Sequence, residues 1–589
     1  MRNRSEQTSG IMYYGWFSVG VAAICVAVVN GFLLKWRKGL KLRKKMQRAR
    51  AKRQWELQQA EKAVLQFRTR NPGVDLSSIL ILSLVELRQR IREGSLRPDA
   101  VIHAYIQKAL EVHRKVNCGT AVLMECLNQL EDLELRKNRP LYGIPISIKD
   151  NLDYEGYDST CGVMTKLDNP ALKDSVVVTV LKKQGAIPFI KTNIPQGLLN
   201  YECSNPIYGR TVNPCNIEKT SGGSSGGEGA LIAAGGSILG LGSDIGGSIR
   251  IPSAFCGICG LKPTNNRISL QGLGSCAKGG KTALSAIGPM ARDVESLALC
   301  MKALLCPDMF TLDPTVPPLP FNQEVYESSD PLRIGYYEND EYHQPSPAMS
   351  RALWKTKELL EKAGHTLIPY YPPRMFNTMQ EFVLRGNVPD AGCTLLKHFE
   401  GGPVDQCLKH QVSLLRCPLF MKKIITLLLG PIYPRVAAGI QGICGVKNVA
   451  GLWKQHVEVE AYIHETLAEW RRLEMDVLLC PMLGPAYNFN YTGKLSGALS
   501  YTAPYNVLNF PAGVVPVTKV TAEDEDELKH YKGNFGDIWD RTFVKAIQGG
   551  VGLPIAVQCV APPWQEELCL RLMREVEMVW AKKCSNPPH

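Results

Sequence analysis

The sequence has 589 residues, of which 45% are hydrophobic and 21% are charged, so it is globular in composition and long enough for one very large domain or several ordinary ones. Its net charge of +13 does not indicate nucleic-acid binding. Nearly all of that charge falls within residues 1–53, and the rest of the chain is close to neutral, which excludes a basic domain that could hold a phosphate backbone.

An uncharged stretch, YYGWFSVGVAAICVAVVNGFLL, runs from Tyr13 to Leu34. As a helix it would measure about 33 Å, long enough to cross the apolar core of a bilayer. Within residues 1–53, most Lys and Arg residues follow this stretch, whereas in a cleaved signal peptide they precede it. Their position predicts that the chain after this stretch lies on the cytosolic side of the membrane. We therefore expect a short tail over 1–12, a retained transmembrane anchor over 13–34 and a basic juxtamembrane helix over 35–70.

The next segment carries clear helix boundaries. NPGVD at 71–75 breaks the preceding helix. Ser83 and Glu86 have the spacing of a capping box, and Pro98 opens a further helix that extends to about Val116. These signals predict a helical part over 71–140.

From Leu141 onward, short apolar runs alternate with helical patterns, which predicts α/β layers around a large, mixed, mostly parallel twisted sheet. No break in composition divides this region, so we expect one domain over 141–580 and a short tail over 581–589. The predicted strands are YGIPISIKD, AIPFIKT, SILGLGSD, HTLIPYY, MDVLLCPML, FPAGVVPVTKV and LPIAVQCVA.

The stretch PLFMKKIITLLLGPIYPRVAAGI, residues 418–440, consists of two short apolar segments broken by Pro431 and Pro434. Neither segment is long enough to span a membrane. Two interpretations stand side by side: a helical hairpin that lies in the lipid interface, and an internal helix pair.

Nineteen cysteines are scattered along the chain, and a cytosolic body would keep them reduced. The C-x-x-C motif at Cys256–Cys259 has no second pair at a spacing typical of zinc sites, which favours packing over a redox role and predicts no metal.

Eleven glycines fall within the 26 residues from Gly222 to Gly247. The chain has no phosphate-binding loop motif G-x-x-x-x-G-K-[ST]. The stretch GSCAKGGKT comes near it but has Ser275 where the motif requires its first glycine. GGSSG matches the G-x-S-x-G pattern of α/β-hydrolases, but a polar turn precedes it instead of the required strand. Spacing alone does not exclude His343, His398 or His456 from a Ser-His-Asp triad, although local context marks none of them.

A serine nucleophile that works without histidine is the third explanation. Lys149 stands at the end of the apolar strand GIPISI, and burial depresses the pKa of a lysine towards the range where it acts as a base. The turn IGGS can point successive backbone N–H groups into one concavity, as an oxyanion hole requires.

The stretch GGSSGGEGALIAAGGSILGLGSDIGGSIRIPSAFCGICGLKPT, together with GIPISIKDN, resembles the amidase signature family. The resemblance implies an α/β/α sandwich in which Ser248 is the nucleophile, Ser224 the bridging serine and Lys149 the base. It also implies a cis Gly223–Ser224 peptide. By the same resemblance, Ile245, Gly246, Gly247 and Ser248 supply the oxyanion-hole amides, and Ser225 supports the hydrogen-bond chain.

Further motifs narrow the resemblance to members of this family that are anchored in membranes and hydrolyse fatty-acid amides, ending lipid-amide signalling. They include TNIPQGLLNYECSNPIYGRTVNP, the 418–440 segment and GLPIAVQCVAPPWQEELCLR. The resemblance implies no cofactor, a homodimer, contact with a bilayer and an endomembrane location such as the endoplasmic reticulum. Our candidates for the acyl channel are Leu198, Leu199, Tyr201 and Trp539.

Rival functions are a family member that acts on charged tRNA and an inactive scaffold with the same fold. The near-neutral body and the apolar N-terminal stretch speak against the first. The presence of Lys149, Ser224 and Ser248 together speaks against the second.

Overall fold

The structure is a computed structural model that describes the backbone of residues 5–585 and, from residue 25 onward, nearly all of their side chains. Its strands are β1 Gly119–Val122, β2 Pro145–Lys149, β3 Ile187–Thr192, β4 Ser204–Asn205, β5 Gly209–Arg210, β6 Leu239–Asp244, β7 Cys259–Lys262, β8 Ala286–Ala291, β9 Arg333–Tyr336, β10 Thr366–Pro369, β11 Val477–Cys480, β12 Ala512–Lys519 and β13 Pro554–Val560.

The α-helices are α1 Ser5–Arg70, α2 Leu76–Leu80, α3 Leu84–Arg92, α4 Pro98–Val116, α5 Val176–Lys183, α6 Gly226–Ala233, α7 Arg250–Cys256, α8 Val294–Leu304, α9 Pro307–Leu312, α10 Gln323–Glu327, α11 Pro347–Lys362, α12 Met375–Asn377, α13 Arg385–Asn387, α14 Cys393–Leu396, α15 Lys409–Arg416, α16 Leu419–Leu429, α17 Pro434–Gly442, α18 Val449–Arg472, α19 Pro504–Val507, α20 Ala522–Glu527, α21 Ile538–Ile547 and α22 Glu566–Ser585.

Helix α1 covers the predicted anchor and the basic segment. Within the described part of the chain, no helix combines the length and the apolar character that crossing a membrane requires. Positions 13–24 of the predicted anchor lie outside the residues whose side chains are described. Positions 1–4 of the predicted N-terminal tail and 586–589 of the predicted C-terminal tail also lie outside the described residues.

The basic half of α1 packs on the body of the protein. Arg50 Nε donates to the carbonyl of Ile207 at 2.7 Å, and Lys45 Nζ donates to the carbonyl of Leu167 at 2.6 Å. Further along the helix, Ala60, Val64 and Phe67 are buried in the main hydrophobic core. The positive charges of this segment therefore attach the helix to the body, in addition to any role at a membrane.

The predicted helix boundaries after α1 are confirmed. Ser83 and Glu86 form the capping box of α3 in both directions, and α4 begins at Pro98 and ends at Val116. The helix α1 ends at Arg70, immediately before NPGVD.

Eleven strands form one sheet in the order β1-β3-β2-β6-β8-β7-β12-β13-β11-β9-β10. The prediction of a mostly parallel sheet is wrong. Only the pairs β3/β2, β2/β6, β11/β9 and β9/β10 are parallel, and the remaining neighbours are antiparallel. The sheet is mixed, as predicted, and antiparallel pairing also joins predicted strands, as in β11/β13 and β12/β13. Sequence reasoning missed four strands of this sheet, which are β1, β7, β8 and β9.

The sheet places two strand ends beside each other where β2 and β6 run parallel. All residues of β2 and β6 are buried, and Ile148 is in register with Leu241. Helix α6 contacts both strands. Because parallel strands end at the same edge, Lys149 at the end of β2 comes next to Ser243 near the end of β6.

Candidate active site

Lys149 is completely buried at the end of β2. Its Nζ lies 2.7 Å from Ser224 Oγ, 3.0 Å from Ser243 Oγ and 2.9 Å from the Ser243 carbonyl oxygen. These oxygens surround the amine without placing a carboxylate in direct contact with it. The lysine predicted from the sequence as a base is therefore joined directly to one of the predicted serines.

Burial lowers the pKa of Lys149 to about 7, and the nearby carboxylate of Asp244 acts against this shift. Desolvation disfavours the ammonium form, whereas a negative charge favours it. The buried Glu228 also lies near this lysine, and burial raises the pKa of its carboxyl to about 8. Near neutral pH, a substantial fraction of Lys149 is therefore an uncharged amine, as a general base must be.

The two serine loops meet at the backbone. The Ser225 N–H donates to the Ser248 carbonyl oxygen at 3.0 Å, and Ser225 Oγ lies 3.4 Å from the Ser243 carbonyl oxygen. The Gly223–Ser224 peptide is cis, in agreement with the resemblance. Within the described residues, no hydrogen bond joins Ser224 Oγ to Ser248 Oγ, a link that often forms only when substrate is bound.

The glycine-rich stretch over 222–247 contains α6 and β6 and is tightly packed, so it is not a flexible linker. Gly247 has φ = 123°, and a Cβ at this position would lie 2.6 Å from Thr502 Oγ1. At Gly222 a Cβ would lie 2.7 Å from the Cα of Pro252. Both positions require glycine because another backbone or side chain already fills the space.

Asp244 and Arg250 hold the Ser248 loop in shape. Arg250 Nη2 and Nε donate to the two Asp244 oxygens at 3.0 Å, and both side chains are fully buried. Burial alone would raise the pKa of Asp244, but the Arg250 guanidinium outweighs it and holds that pKa below its usual range. Arg250 also donates to the Thr502 carbonyl oxygen at 2.9 Å and to Asn506 Oδ1 at 2.7 Å.

The four predicted oxyanion-hole amides differ in their availability. The N–H of Gly247 donates to Asp244 Oδ1 at 2.7 Å, so in this structure it is already engaged. Among the described residues, the N–H groups of Ile245, Gly246 and Ser248 have no protein acceptor. The turn thus leaves three of its four predicted donors free.

The acyl-channel candidates fall into two groups. Leu198 and Leu199 pack on a buried apolar cluster that includes Phe399. Tyr201 donates its hydroxyl to the Leu495 carbonyl oxygen at 2.8 Å, and its backbone lies beside Gly223. Trp539 lies against the backbone of Gly497 and of Gly439. Tyr201 and Trp539 therefore both contact the segment 495–497, whereas Leu198 and Leu199 lie in a separate cluster.

Sequence reasoning missed Ser243 and Asn151, which complete the surroundings of the lysine. Asn151 Nδ2 donates to Ser243 Oγ at 3.3 Å and to the Gly274 carbonyl oxygen at 3.0 Å. Asn151 belongs to the motif GIPISIKDN, and Ser243 is the one hydroxyl in the strand LGLGSD. The signal that could have identified them is the parallel pairing of these two strands.

The histidines named above lie elsewhere. His343 is buried edge-on against Phe543, with ring centroids 4.4 Å apart, and His398 contacts Thr165 Oγ1 at 3.2 Å. His456 lies on α18. In the part of the chain that the structure describes, no group of His, Cys, Asp and Glu is arranged to hold a metal ion.

The amidase family model matches residues 100–570. The chain is 53% identical over 562 residues to fatty-acid amide hydrolase 1 of Sus scrofa, covering 95% of this chain and 96% of the relative. It is 50% identical to the vitamin D3 hydroxylase-associated protein of Gallus gallus, covering 74% and 95%. A solved structure described as fatty acid amide hydrolase superposes with a TM-score of 0.74 at 25% identity, covering 91% of this chain and 95% of that one.

The buried Asp244–Arg250 pair makes a testable contribution to stability. Arg250→Met leaves the Asp244 carboxylate buried without its partner, a change that typically costs about 3–5 kcal/mol. We expect a large fall in the urea midpoint of unfolding. The matched control is Lys529→Met, which breaks an ion pair with Asp526 whose side chains are both 72% exposed. Midpoints that shift equally in the two variants would contradict the scaffold role.

Proposed function

This chain belongs to the amidase family, and we propose from that premise that it hydrolyses fatty-acid amides to free fatty acid and amine. The chain is a serine amidase that acts on amide bonds. The proposal of lipid substrates is supported by its similarity to a fatty-acid amide hydrolase over 95% of its length. The observation that carries the chemistry is the 2.7 Å contact between buried Lys149 and Ser224.

Nucleophile activation begins with the uncharged amine of Lys149. Lys149 takes a proton from Ser224, which in turn takes the proton of Ser248, and Ser248 Oγ attacks the amide carbonyl carbon. The contact between the Ser225 N–H and the Ser248 carbonyl oxygen supports this route, because it keeps the two serine loops side by side.

The tetrahedral intermediate carries a negative oxygen. The free N–H groups of Ile245, Gly246 and Ser248 are the donors that stabilise it, and each donor in such a site is worth about 3–4 kcal/mol. Gly247 contributes through its backbone shape, while its own N–H is held by Asp244. The proton then returns from Lys149 through Ser224 to the departing nitrogen, and water hydrolyses the acyl-enzyme.

Helix α16 supports delivery of the substrate from a bilayer. Leu419, Phe420, Ile424, Leu427 and Leu428 all point out of the protein, with exposed fractions from 48% to 77%. A contiguous exposed apolar surface of this kind is typical of membrane contact. We therefore favour the interfacial interpretation for α16.

The neighbouring helix α17 packs on α16 and joins it to α21. Arg435 is 1% exposed, and its Nε and Nη2 donate to Asp537 at 2.9 and 2.6 Å. Asp537 begins α21, where Trp539 packs on Gly439 of α17. Because α17 packs on α16, the contact of Trp539 with Gly439 supports Trp539 as part of the acyl path. We keep Tyr201, Leu198 and Leu199 as the other candidates for this path.

The remaining parts of the proposal concern membrane attachment and assembly. We place an anchor over 13–34, with the catalytic body cytosolic on an endomembrane such as the endoplasmic reticulum. The exposed side chains of Val26, Val28 and Phe32 on α1 support it. Val449, Trp453 and Val457 form an exposed apolar stripe at helical spacing on α18, which supports a homodimer.

The nucleophile is tested by covalent labelling. A fluorophosphonate is expected to add mass to Ser248 in the wild-type protein and to no residue in Ser248→Ala, as measured by peptide mass spectrometry. Ser237→Ala serves as the control and should keep the label on Ser248, because the Ser237 hydroxyl donates to the Leu239 carbonyl oxygen outside the candidate site. Labelling that persists in Ser248→Ala would count against the proposed nucleophile.

The role of Lys149 is tested with a matched amide and ester. Lys149→Ala is expected to lose more amide turnover than ester turnover, because an amine must be protonated to leave whereas an alkoxide needs this less. The measurement is kcat/KM for both substrates in both proteins. Equal losses would refute the proton return to the leaving group.

The membrane role of α16 is tested by vesicle binding. Replacing both Leu427 and Leu428 with Ser is expected to weaken sedimentation with phosphatidylcholine vesicles and to leave turnover of a short, water-soluble amide unchanged. The control replaces Leu135 and Leu172, which are 86% and 93% exposed elsewhere on the surface. Equal vesicle binding by the two double variants would exclude α16 as the contact.

A further inference from the structure

Thr502 packs directly against the turn that precedes Ser248. Its side chain is completely buried, and its hydroxyl donates to the Gly246 carbonyl oxygen at 2.6 Å. The Leu499 carbonyl oxygen lies 3.3 Å from the same hydroxyl, beyond the usual O–H···O range. A hydroxyl has one proton to donate, so the Thr502 proton serves the turn.

The peptide between Gly246 and Gly247 is held from two sides. In a planar trans peptide, the C=O and the N–H point in opposite directions. Thr502 donates to the C=O of this peptide, and Asp244 Oδ1 accepts from its N–H at 2.7 Å. Rotation of the peptide plane would break at least one of these two hydrogen bonds. Together they therefore fix its orientation.

The two neighbouring peptides carry free donors. The Gly246 N–H belongs to the peptide before the fixed one, and the Ser248 N–H belongs to the peptide after it. Among the described residues, neither N–H has a protein acceptor. Gly246 and Ser248 are half-buried, whereas Gly247 between them is buried against Thr502. The free donors therefore lie on the more open residues of the turn, and the hydrogen bond from Thr502 holds the peptide between them.

Thr502 is itself anchored to the buried ion pair. Arg250 Nη1 donates to the Thr502 carbonyl oxygen at 2.9 Å. Asn506, four residues further on, accepts from Arg250 Nη2 at 2.7 Å and donates to Asp244 Oδ1 at 3.1 Å. A Cβ on Gly247 would lie 2.6 Å from Thr502 Oγ1, so the hydroxyl is in close contact with the turn. The position of this hydroxyl is thus set by the same residues that shape the Ser248 loop.

We propose that Thr502 is a positioning residue of the oxyanion hole. Its hydroxyl fixes the Gly246–Gly247 peptide so that the N–H groups of Gly246 and Ser248 both point at the negative oxygen of the tetrahedral intermediate. This inference rests on the proposed function, because it assigns a role in the reaction described there. Donors of this kind stabilise a developing charge strongly only when they are held in place beforehand. Without the hydroxyl, the peptide between the two donors would be held by Asp244 alone.

The experiment replaces the hydroxyl with a methyl group in Thr502→Val and measures kcat and KM of the full-length protein for a primary amide of a long-chain fatty acid. The oxyanion exists only after attack, so the loss should fall on kcat. We expect kcat to fall about 10- to 100-fold, less than the roughly 10²–10³-fold typical of removing a whole donor, and KM to change less than about twofold. Thr502→Ser keeps the hydroxyl and should retain most of kcat.

A second measurement uses a trifluoromethyl ketone, whose carbonyl carbon Ser248 is expected to attack. The Ser248 Oγ–C bond forms, the π electron pair of the C=O moves to its oxygen, and the Ser248 proton passes through Ser224 to Lys149. The adduct therefore holds an oxyanion where the intermediate does. Inhibition of Thr502→Val should weaken by the same factor as kcat/KM, because both report stabilisation of that oxygen.

The matched control is Thr466→Val. Thr466 is also buried, and its hydroxyl donates to the Tyr462 carbonyl oxygen at 2.8 Å within α18, outside the candidate site. This variant loses a comparable buried hydrogen bond and should keep the wild-type kcat and the wild-type inhibition by the ketone.

Three results would overturn the inference: an unchanged kcat in Thr502→Val, a loss confined to KM, or equal losses of kcat in Thr502→Val and Thr502→Ser. Thr502→Ala removes the same hydroxyl without needing extra space, so it decides the question if the valine variant does not fold. Wild-type protein without any turnover of the fatty-acid amide would refute the proposed substrate class. The role of Thr502 would then still be decided by the ketone.

Discussion

The desolvation of Lys149 is the constraint on which the active site depends. An ammonium group at the surface would stay protonated and could not act as a base, so the amine must be taken out of water. The structure does this by placing the lysine at the end of a fully buried strand, with hydroxyl and carbonyl oxygens as its only direct hydrogen-bond partners among the described residues. These oxygens satisfy the neutral amine without charging it. This arrangement supports the proposed proton relay from Ser248 through Ser224 to Lys149.

The two carboxyl groups near Lys149 are arranged so that they stabilise its ammonium form only weakly. Among nearby charges, the carboxylate of Asp244 raises the pKa of Lys149 the most. This carboxylate forms an ion pair with Arg250 and accepts hydrogen bonds from the N–H groups of Gly247 and Ile249. Within the described structure, the carboxyl of Glu228 forms no ion pair with a Lys or Arg side chain. It accepts hydrogen bonds from the hydroxyls of Ser147 and Thr192. Burial raises the pKa of Glu228, which limits the negative charge that would otherwise stabilise an ammonium at Lys149. The same ion pair that shapes the loop of Ser248 thus also limits the effect of Asp244 on the pKa of Lys149.

Much of this architecture can be predicted from the sequence, because local signals determine it. Capping residues, Pro98 and the break at NPGVD mark the helix boundaries, and the pattern around Lys149 and the glycine-rich stretch identifies the site. The antiparallel strands β7 and β8 could not be predicted in the same way, because CGLK is only four residues long and AIGPMA contains a glycine and a proline, which are typical of turns. The contacts of Ser243 with Lys149 and with Asn151 depend on which strand ends become neighbours. Such contacts become visible only when the sheet order is known.

The most direct test of the account is the pH dependence of the rate at which a fluorophosphonate phosphonylates Ser248, with the Ser248 Oγ–P bond forming as fluoride leaves. Below its pKa Lys149 is protonated and cannot accept a proton, so the rate should rise with pH along a curve centred near 7, the value to which burial lowers this pKa. In a variant without the amine this rise should be absent. A wild-type rate that is flat across neutral pH, or that rises only near 10.5, the value of an ordinary lysine, would contradict the claim that a buried uncharged lysine drives the chemistry.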